Sequence, residues 1–177
     1  VGILDADGLL HFADFRVNER AFQLMEQVSG RAGRKEDTGK VMVQTSQPTH
    51  PVLQFVQQHN FKMMFEEELK KRKEFFYPPF SRIIHISFKH KIKAVVERSA
   101  QQYANTMKIK YDQYIVGPAE PVIGRIRNQY LMELLFKLPR DGKTINQCKK
   151  DILEQISVLH QNKSFRSVTI VADVDAV

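Results

Sequence analysis

The sequence predicts two successive units that each combine helices with strands, and three observations support this fold class. A strand, a helix and a second strand follow one another over residues 2–45, which is the order of an α/β domain with a parallel sheet. Two prolines, Pro78 and Pro79, then end a helical stretch, because neither can donate into a helix. Beyond them the patterns run β-α-β-β-α-β, the order of the α+β fold called ferredoxin-like or split βαβ.

The first unit is predicted from short apolar runs on either side of a helical stripe. Residues 2–5 and 41–45 are apolar runs of buried-strand type. Pro51 is placed to start a helix that runs to about His59. Between the two strands, residues 18–34 carry apolar side chains at helical spacing, namely Ala21, Leu24, Met25, Val28 and Ala32. We therefore expect residues 1–59 to form the end of an α/β domain.

A further helical stretch at residues 61–76 is predicted to connect the two units. Glu66, Glu67 and Glu68 each precede a basic residue by four positions, a spacing that favours ion pairs along one helix face. The basic run at residues 70–73 is therefore interpreted as a solvated helix face in preference to a nucleic-acid contact. We place a connecting helix and linker at residues 60–79 and the second domain at residues 80–177.

Two kinds of periodicity define the second unit. Alternating apolar residues predict half-buried strands over residues 84–88 and 130–138. Each strand is followed by a helical stripe: Ile92, Val95, Val96, Ala100, Tyr103 and Met107 in the first, and Ile145, Cys148, Ile152, Ile156 and Leu159 in the second. Further extended segments are expected at residues 115–116, 122–127 and 168–174.

The positive charge is concentrated in the second unit. The chain has 177 residues, 42% of them hydrophobic, and a formal net charge of +7. Residues 1–79 contain 11 basic and 11 acidic side chains, whereas residues 80–177 contain 16 basic and 9 acidic ones. A localised basic field attracts polyanions, and nucleic acid is the usual one. A cationic surface that serves only solubility is the alternative.

Several classes of protein are disfavoured by composition. A single cysteine, Cys148, allows neither an internal disulfide nor a thiolate metal cage, and its helical spacing indicates core packing. No signal-peptide pattern is present, and no apolar run approaches the ~18 residues of a membrane span. We expect a cytoplasmic protein that does not contact membranes. Because the sequence starts at Val1 inside a strand-like run, we also expect a fragment.

The segment of residues 27–34, QVSGRAGR, carries the sharpest chemical signal. On a helix, Gln27, Arg31 and Arg34 gather on a polar face roughly 110° from the apolar stripe. Guanidinium groups hold phosphate oxygens in fixed forks and stay charged throughout a reaction. Gly30 and Gly33 would allow another surface to approach closely. A solvated helix end, whose dipole favours arginines, is the alternative interpretation.

This segment is similar to motif VI of superfamily 2 helicases, and the wider sequence resembles the primosomal protein N′ family. The resemblance covers essentially the whole chain and rests on VGILDADGLLHFADFRVNERAFQLMEQVSGRAGR, YPPFSR, GPAEPVIGRIRNQY and the terminal DVD. Leu131 departs from the family where an arginine is frequent, and Ala176 where a proline is frequent. The resemblance implies the C-terminal part of the second helicase lobe, followed by a C-terminal domain.

The resemblance implies an ATP-dependent 3′→5′ DNA helicase that recognises stalled or abandoned replication forks and reloads the replication machinery. By motif match, Arg34 would reach the γ-phosphate, Arg31 would make a second phosphate or coupling contact, and Gln27 would position the nucleotide, with Gly30 and Gly33 beside it. The implied cofactors of the full-length protein are ATP, magnesium and zinc. Its implied partners are forked and single-stranded DNA, single-stranded-DNA-binding protein and other primosome proteins.

Parts of such a helicase are missing from this sequence. It has no GxxxxGK[ST] loop for phosphates, no DExH-type string for magnesium and no zinc-binding cysteine set. We therefore expect no bound metal and no ATP turnover by this chain alone. Asp5 and Asp7 follow a strand, where ligands gather in α/β sheets, and whether they are functional stays open. Internal salt bridges are the favoured interpretation of Asp14, Arg16, Glu19 and Arg20.

The second domain shows no catalytic constellation, so we expect it to bind. In the predicted strand 122–127, Arg125 and Arg127 would point to the same side. The other candidate DNA-binding residues are Lys89, Lys91 and Lys93 at a strand–helix turn and Lys149 and Lys150 on a helix. No base-reading pattern is evident, which makes backbone charge and fork shape the expected targets.

Two functions from other classes compete with this interpretation. One is a ferredoxin-like nucleic-acid-binding module of RNA or ribosomal type, without a motor. Motif VI argues against this module, because a module without a motor does not need a pair of arginines that binds phosphate. The other is a protein–protein scaffold, which would bind its partner equally well after its basic residues had been removed.

Overall fold

The computed structural model describes residues 1–11, 14–32 and 39–174, and the chain divides into two compact units. The first unit is Val1–Phe75, and the second begins at Phe76. Both contain helices and strands, which confirms the mixed α and β fold class. Within the three described ranges, no helix combines the length and the apolar character needed to cross a membrane.

The first unit pairs two short strands in parallel and surrounds them with helices. Its elements are β1 (Gly2–Ile3), α1 (Ala6–Leu10), α2 (Val17–Ala32), β2 (Met42–Val43), α3 (Pro51–Gln57) and α4 (Phe61–Glu74). The parallel pairing of β1 with β2 confirms the predicted strand–helix–strand order. Both strands are shorter than predicted. Asp5 ends the first one early, because its φ of 58° turns the chain into α1, where its side chain accepts from the Gly8 N–H at 3.1 Å.

In the first unit, the helical spacing of apolar residues gave a wrong prediction for Leu24, which was expected on the buried face. Ala21, Phe22 and Met25 of α2 are buried, but Leu24 is 43% exposed and lies on the side of α2 that carries Arg31. Met64 of α4 is buried in the same core, so this helix belongs to the first unit and is not a separate connector.

Ion pairs hold the helices of the first unit together. Asp14 pairs with Arg20 at 2.7 Å, and Glu19 pairs with Arg72 at 2.7 Å. These contacts confirm the internal salt bridges predicted for Asp14, Glu19 and Arg20. Part of the basic run at residues 70–73 therefore faces an acidic partner on α2 and is not simply a solvated helix face.

The second unit is built on one antiparallel sheet. Its elements are β3 (Ser81–His90), α5 (Lys93–Tyr111), β4 (Ile115–Ala119), β5 (Arg125–Ile126), β6 (Gln129–Pro139), α6 (Gly142–Gln161) and β7 (Thr169–Val174). The strand order is β4–β6–β3–β7, and all neighbouring strands are antiparallel. The short β5 also pairs with β6, at the start of that strand.

Alternate residues of β3 and β6 form the core beneath α5 and α6. Ile84 pairs with Phe136 and Ile86 with Leu134, and all four are buried. Cys148 of α6 packs into this core as predicted, and burial raises the pKa of its thiol to about 12. Ile92, predicted to join the α5 stripe, is 58% exposed because it precedes the first turn of the helix.

A polar network joins α5 to α6 at the edge of this core. Asp151 of α6 accepts a hydrogen bond from the Lys110 ammonium at 2.5 Å and one from the Tyr111 hydroxyl at 2.6 Å. The bonds from Lys110 and then from Tyr111 lower the pKa of Asp151 from its usual value of 3.8. The carboxylate thus stabilises the fold only while it is ionised.

We expect Asp151→Asn to destabilise the second unit by about 1 kcal/mol or less at pH 7, a modest effect because Lys110 is 56% exposed. Since the folded-state pKa lies below the unfolded one, this stabilisation is present above about pH 3.8 and is lost as the pH falls through the folded value. The measurement is urea unfolding followed by tyrosine fluorescence. All 5 tyrosines lie in the second unit and the chain has no tryptophan.

Exposed Glu154 of the same helix supplies the matched control, and Glu154→Gln should leave the urea midpoint unchanged. A difference between wild type and Asp151→Asn that stays constant down to pH 2.5 would contradict the assigned role.

Candidate functional site

One end of the sheet in the second unit collects basic side chains from three separate segments. Strand pairing places Lys89 of β3 between Leu131 of β6 and Thr169 of β7. The β3–α5 turn, the β5–β6 hairpin and the α6–β7 loop therefore meet at this end. Their basic residues, called here the basic end, are Lys89, Lys91, Arg125, Arg127, Lys163 and Arg166.

His90 joins two of these segments. Its Nδ1 accepts from the Ile92 N–H at 3.0 Å, so in the neutral ring Nε2 carries the proton and donates to Ser167 Oγ at 3.1 Å. This places the loop that contains Arg166 beside the turn that contains Lys91. No pattern in the sequence indicated that His90 and Arg166 belong to this site. Only the folded sheet brings together residues that lie this far apart in the chain.

The prediction of a strand over residues 122–127 is wrong for most of that range. Only Arg125 and Ile126 form a strand, and they pair with Tyr130 and Gln129. Arg127 and Asn128 form the two-residue turn between β5 and β6, with φ of 47° and 63°. Arg125 and Arg127 consequently do not alternate along one strand, although both are exposed at the basic end.

Arg125 is held in place by its neighbours. Its guanidinium carbon lies 4.9 Å from the centre of the Tyr130 ring, and its side chain also donates to the Asn128 side chain. Tyr130 is partly buried and also packs against the core of the unit. The arginine is therefore preorganised, so less side-chain entropy is lost when it binds an anion.

The remaining predicted lysines differ from this group. Lys93 pairs with Glu120 at 2.8 Å and with Glu97 at 3.9 Å, and the Glu120 contact raises its pKa. Its charge is thus largely offset within the chain. Lys149 and Lys150 lie in the first half of α6, which starts just after β6 ends, and so lie toward the opposite end of the sheet. The fold does not bring them to the basic end.

In the first unit, the described part of the 27–34 segment lies on the exposed side of α2. Gln27, Gly30 and Arg31 are all exposed. A side chain built at Gly30 would meet no atom of the described residues within 4 Å, so packing among those residues does not require a glycine there. Gly33 and Arg34 lie outside the described residues.

Asp5 and Asp7, the two aspartates that follow β1, both accept hydrogen bonds from other residues of the first unit. Asp5 caps α1, whereas Asp7 accepts hydrogen bonds from the Thr45 side chain and from the Ser46 N–H, the latter at 2.8 Å. The bonds from Ser46 and Thr45 lower the pKa of Asp7 to about 2. Asp7 thus ties α1 to the segment after β2. Across the described ranges, no cluster of three or more His, Cys, Asp or Glu side chains could hold a metal ion.

Comparison with known proteins agrees with this architecture. The family model described as "Primosomal protein N C-terminal domain" matches residues 73–177, which include the whole sheet and the basic end. The chain belongs to the primosomal protein N family. The start of the match lies close to the boundary between the two units at Phe75 and Phe76.

Curated relatives of the family extend the similarity into the first unit. Proteins named "Replication restart protein PriA" are 41% identical over 147 residues in Synechocystis sp., 35% over 156 in Bacillus subtilis and 33% over 181 in Treponema pallidum. These alignments cover 82%, 87% and 100% of this chain but 18%, 19% and 26% of the relatives. The chain therefore spans about a fifth to a quarter of the length of these relatives.

We expect Arg127→Gly to leave stability unchanged or to raise it by about 1 kcal/mol, because glycine adopts a positive φ without the steric cost that other residues bear. Thermal unfolding of the wild type and of the variant measures this effect.

Ile126→Gly provides the control, since it introduces glycine one residue earlier in β5 and should only destabilise. Loss of stability in Arg127→Gly would contradict the strain assigned to the turn.

Proposed function

We propose that this chain is the C-terminal part of an ATP-dependent 3′→5′ DNA helicase that acts in replication restart, and that its second unit binds DNA. Family membership supports the restart role. The observation that carries the DNA-binding part is the basic end, where strand pairing gathers six cationic side chains from three segments. Five of the six are exposed, and Lys89 is partly exposed, so their charges are accessible to phosphates.

DNA binding at this surface rests on charge and not on base sequence. Lysine and arginine heads contact phosphates and release counterions, which gives affinity that falls steeply with salt. The uncapped N-terminus of α5 adds a positive helix dipole at the same end of the sheet. Such contacts orient DNA but do not read its sequence. A module that acts at forks of any sequence needs this kind of recognition.

Fork binding and primosome assembly form the wider part of the proposal. The partners would be forked and single-stranded DNA, single-stranded-DNA-binding protein and other primosome proteins. An acidic segment of a protein partner would be attracted to the same basic surface. Salt-dependent competition between a protein partner and DNA would therefore be expected.

The exposed face of α2 supports a role beside ATP in the full-length protein. Gln27 and Arg31 lie one helical turn apart and are exposed, and Gly30 between them leaves space for an approaching surface. A guanidinium and an amide suit phosphate oxygens. The nucleotide would supply the energy-releasing phosphoryl transfer, while Arg31 and Arg34 would hold negative charge on its phosphates.

Metal chemistry is not assigned to the residues of this chain. The buried Cys148 thiol, with its raised pKa, is a poor metal ligand because thiolates bind metals. Zinc and magnesium would thus belong to other parts of the full-length protein.

The strand order of the second unit supports its assignment to the ferredoxin-like class. In a β-α-β-β-α-β chain of this class, the first and third strands are central and adjacent. Here β3 and β6 occupy these positions, with β4 and β7 at the edges.

In the full-length protein, Arg34→Ala should lower the rate of ATP hydrolysis by about 10³-fold or more, the range of arginine fingers in related nucleotide hydrolases. Binding of ATP should change far less, because such a finger acts mainly on the transition state. Steady-state hydrolysis and equilibrium nucleotide binding separate the two effects.

Arg20→Gln in α2 is the control, since Arg20 pairs with Asp14 and should affect stability only. Equal losses in nucleotide affinity and in rate would show that Arg34 is a binding residue and not a finger.

Replacing Arg125 and Arg127 together by glutamine should lower DNA affinity on every sequence and flatten the plot of log K against log salt by up to ~2 units. The matched control is Lys149→Gln with Lys150→Gln, which removes the same charge from the opposite half of the unit. Fluorescence anisotropy at several salt concentrations measures both. Equal effects of the two double variants would contradict a localised site.

A further inference from the structure

Three exposed aliphatic side chains accompany the arginines at the tip of the second unit. Val122 is 87% exposed, Ile123 64% and Ile126 49%. All three belong to the short segment that leads into and through the β5–β6 hairpin. A surface that only binds phosphates has no use for them, because phosphates and their counterions offer no apolar contact.

The hairpin presents these side chains from a fixed framework. Its pairs join Arg125 to Tyr130 and Ile126 to Gln129, and the Leu131 N–H donates to the Gly124 carbonyl at 2.9 Å. The Arg125 guanidinium lies against the Tyr130 ring. Ile126 is therefore held in the hairpin beside the two arginines, and Val122 and Ile123 lie in the segment that leads directly into it.

The largest apolar surface that DNA offers is the faces of its bases. In a continuous duplex these faces are stacked and hidden. They become accessible at the last base pair before a branch, where the strands separate. Proteins that deform DNA use aliphatic side chains in this way, inserting them beside a base step while cationic groups hold the backbone.

We propose that Val122, Ile123 and Ile126 form an apolar tip that packs against the terminal base pair at a junction between duplex and single strands. Arg125 and Arg127 hold the phosphates on either side of that pair. The inference rests on the proposed DNA binding of the second unit and adds the feature of DNA that this hairpin selects. Preference for a junction then follows from the exposed base face and not from charge.

The test replaces all three aliphatic residues by serine, as Val122→Ser, Ile123→Ser and Ile126→Ser in one chain. One probe is a fork with 2-aminopurine at its last paired position, and the other is a relaxed, covalently closed duplex circle, which has no end. The chain also supplies a closely matched control on α5 and α6. Ile109, Leu153 and Val158 are 87%, 64% and 49% exposed and would likewise be changed to serine.

We expect the wild type to prefer the fork and to raise 2-aminopurine fluorescence as the tip disturbs the terminal pair. The tip variant should lose about tenfold in fork affinity and lose the fluorescence change. Its affinity for the circle and its salt dependence should stay those of the wild type. The control variant should behave as wild type with both probes, and circular dichroism should show that both variants are folded.

Three results would overturn the proposal, and the third differs in meaning from the first two. Equal binding of fork and circle by the wild type, or equal losses on both probes in the tip variant, would remove the junction contact and leave DNA binding intact. Absence of binding to either probe at low salt would overturn the proposed DNA binding itself, and the apolar tip with it.

Discussion

The antiparallel pairing of β3 with β6 is the constraint on which the second unit depends. It runs the whole length of β3, from Ser81 opposite Pro139 to His90 opposite Tyr130. Because the register is set by buried residues on one face, a slip of one position would move that apolar set to the other face. The same register decides which turns meet at the far end of the sheet. Core packing and the position of the basic end thus have one cause.

The positive charges fall into two groups, those that pair with carboxylates of the chain and those at the basic end. Lys93 and Lys110 are engaged by carboxylates of the same unit, and Arg72 is engaged by Glu19 in the first unit. Five of the six cationic residues at the basic end are exposed and Lys89 is partly exposed, and Arg125 rests on an aromatic ring, which leaves its charge available. A count of basic residues alone does not make this distinction. Electrostatic attraction for DNA depends on the charges that the fold leaves uncompensated.

The two units use polar side chains in different ways. In the first, carboxylates such as Asp7, Asp14 and Glu19 tie elements together, so few remain as candidates for chemistry. The exposed stretch of α2 with Gln27, Gly30 and Arg31 is the exception, since none of the described residues packs around Gly30. In the second, the hydrogen bonds of His90 hold the turn and loop that carry the cationic residues. A stable framework with an exposed rim is the arrangement expected of a binding domain.

Local periodicity in the sequence determined the existence and type of the long elements, because alternation and helical spacing report which face of a segment is buried. The strands that carry Ile84, Ile86 and Phe88, and the core role of Cys148, followed from it directly. Motif content likewise determined the family. Only the tertiary structure decided that the chain reverses at Arg127, that Leu24 is exposed, and that Arg166 joins Lys91 at one end of the sheet. The exposure of Leu24 and the meeting of Arg166 with Lys91 depend on packing between segments that are distant in the chain. The reversal at Arg127 depends on where β5 pairs with β6. Periodicity along one segment contains none of this information.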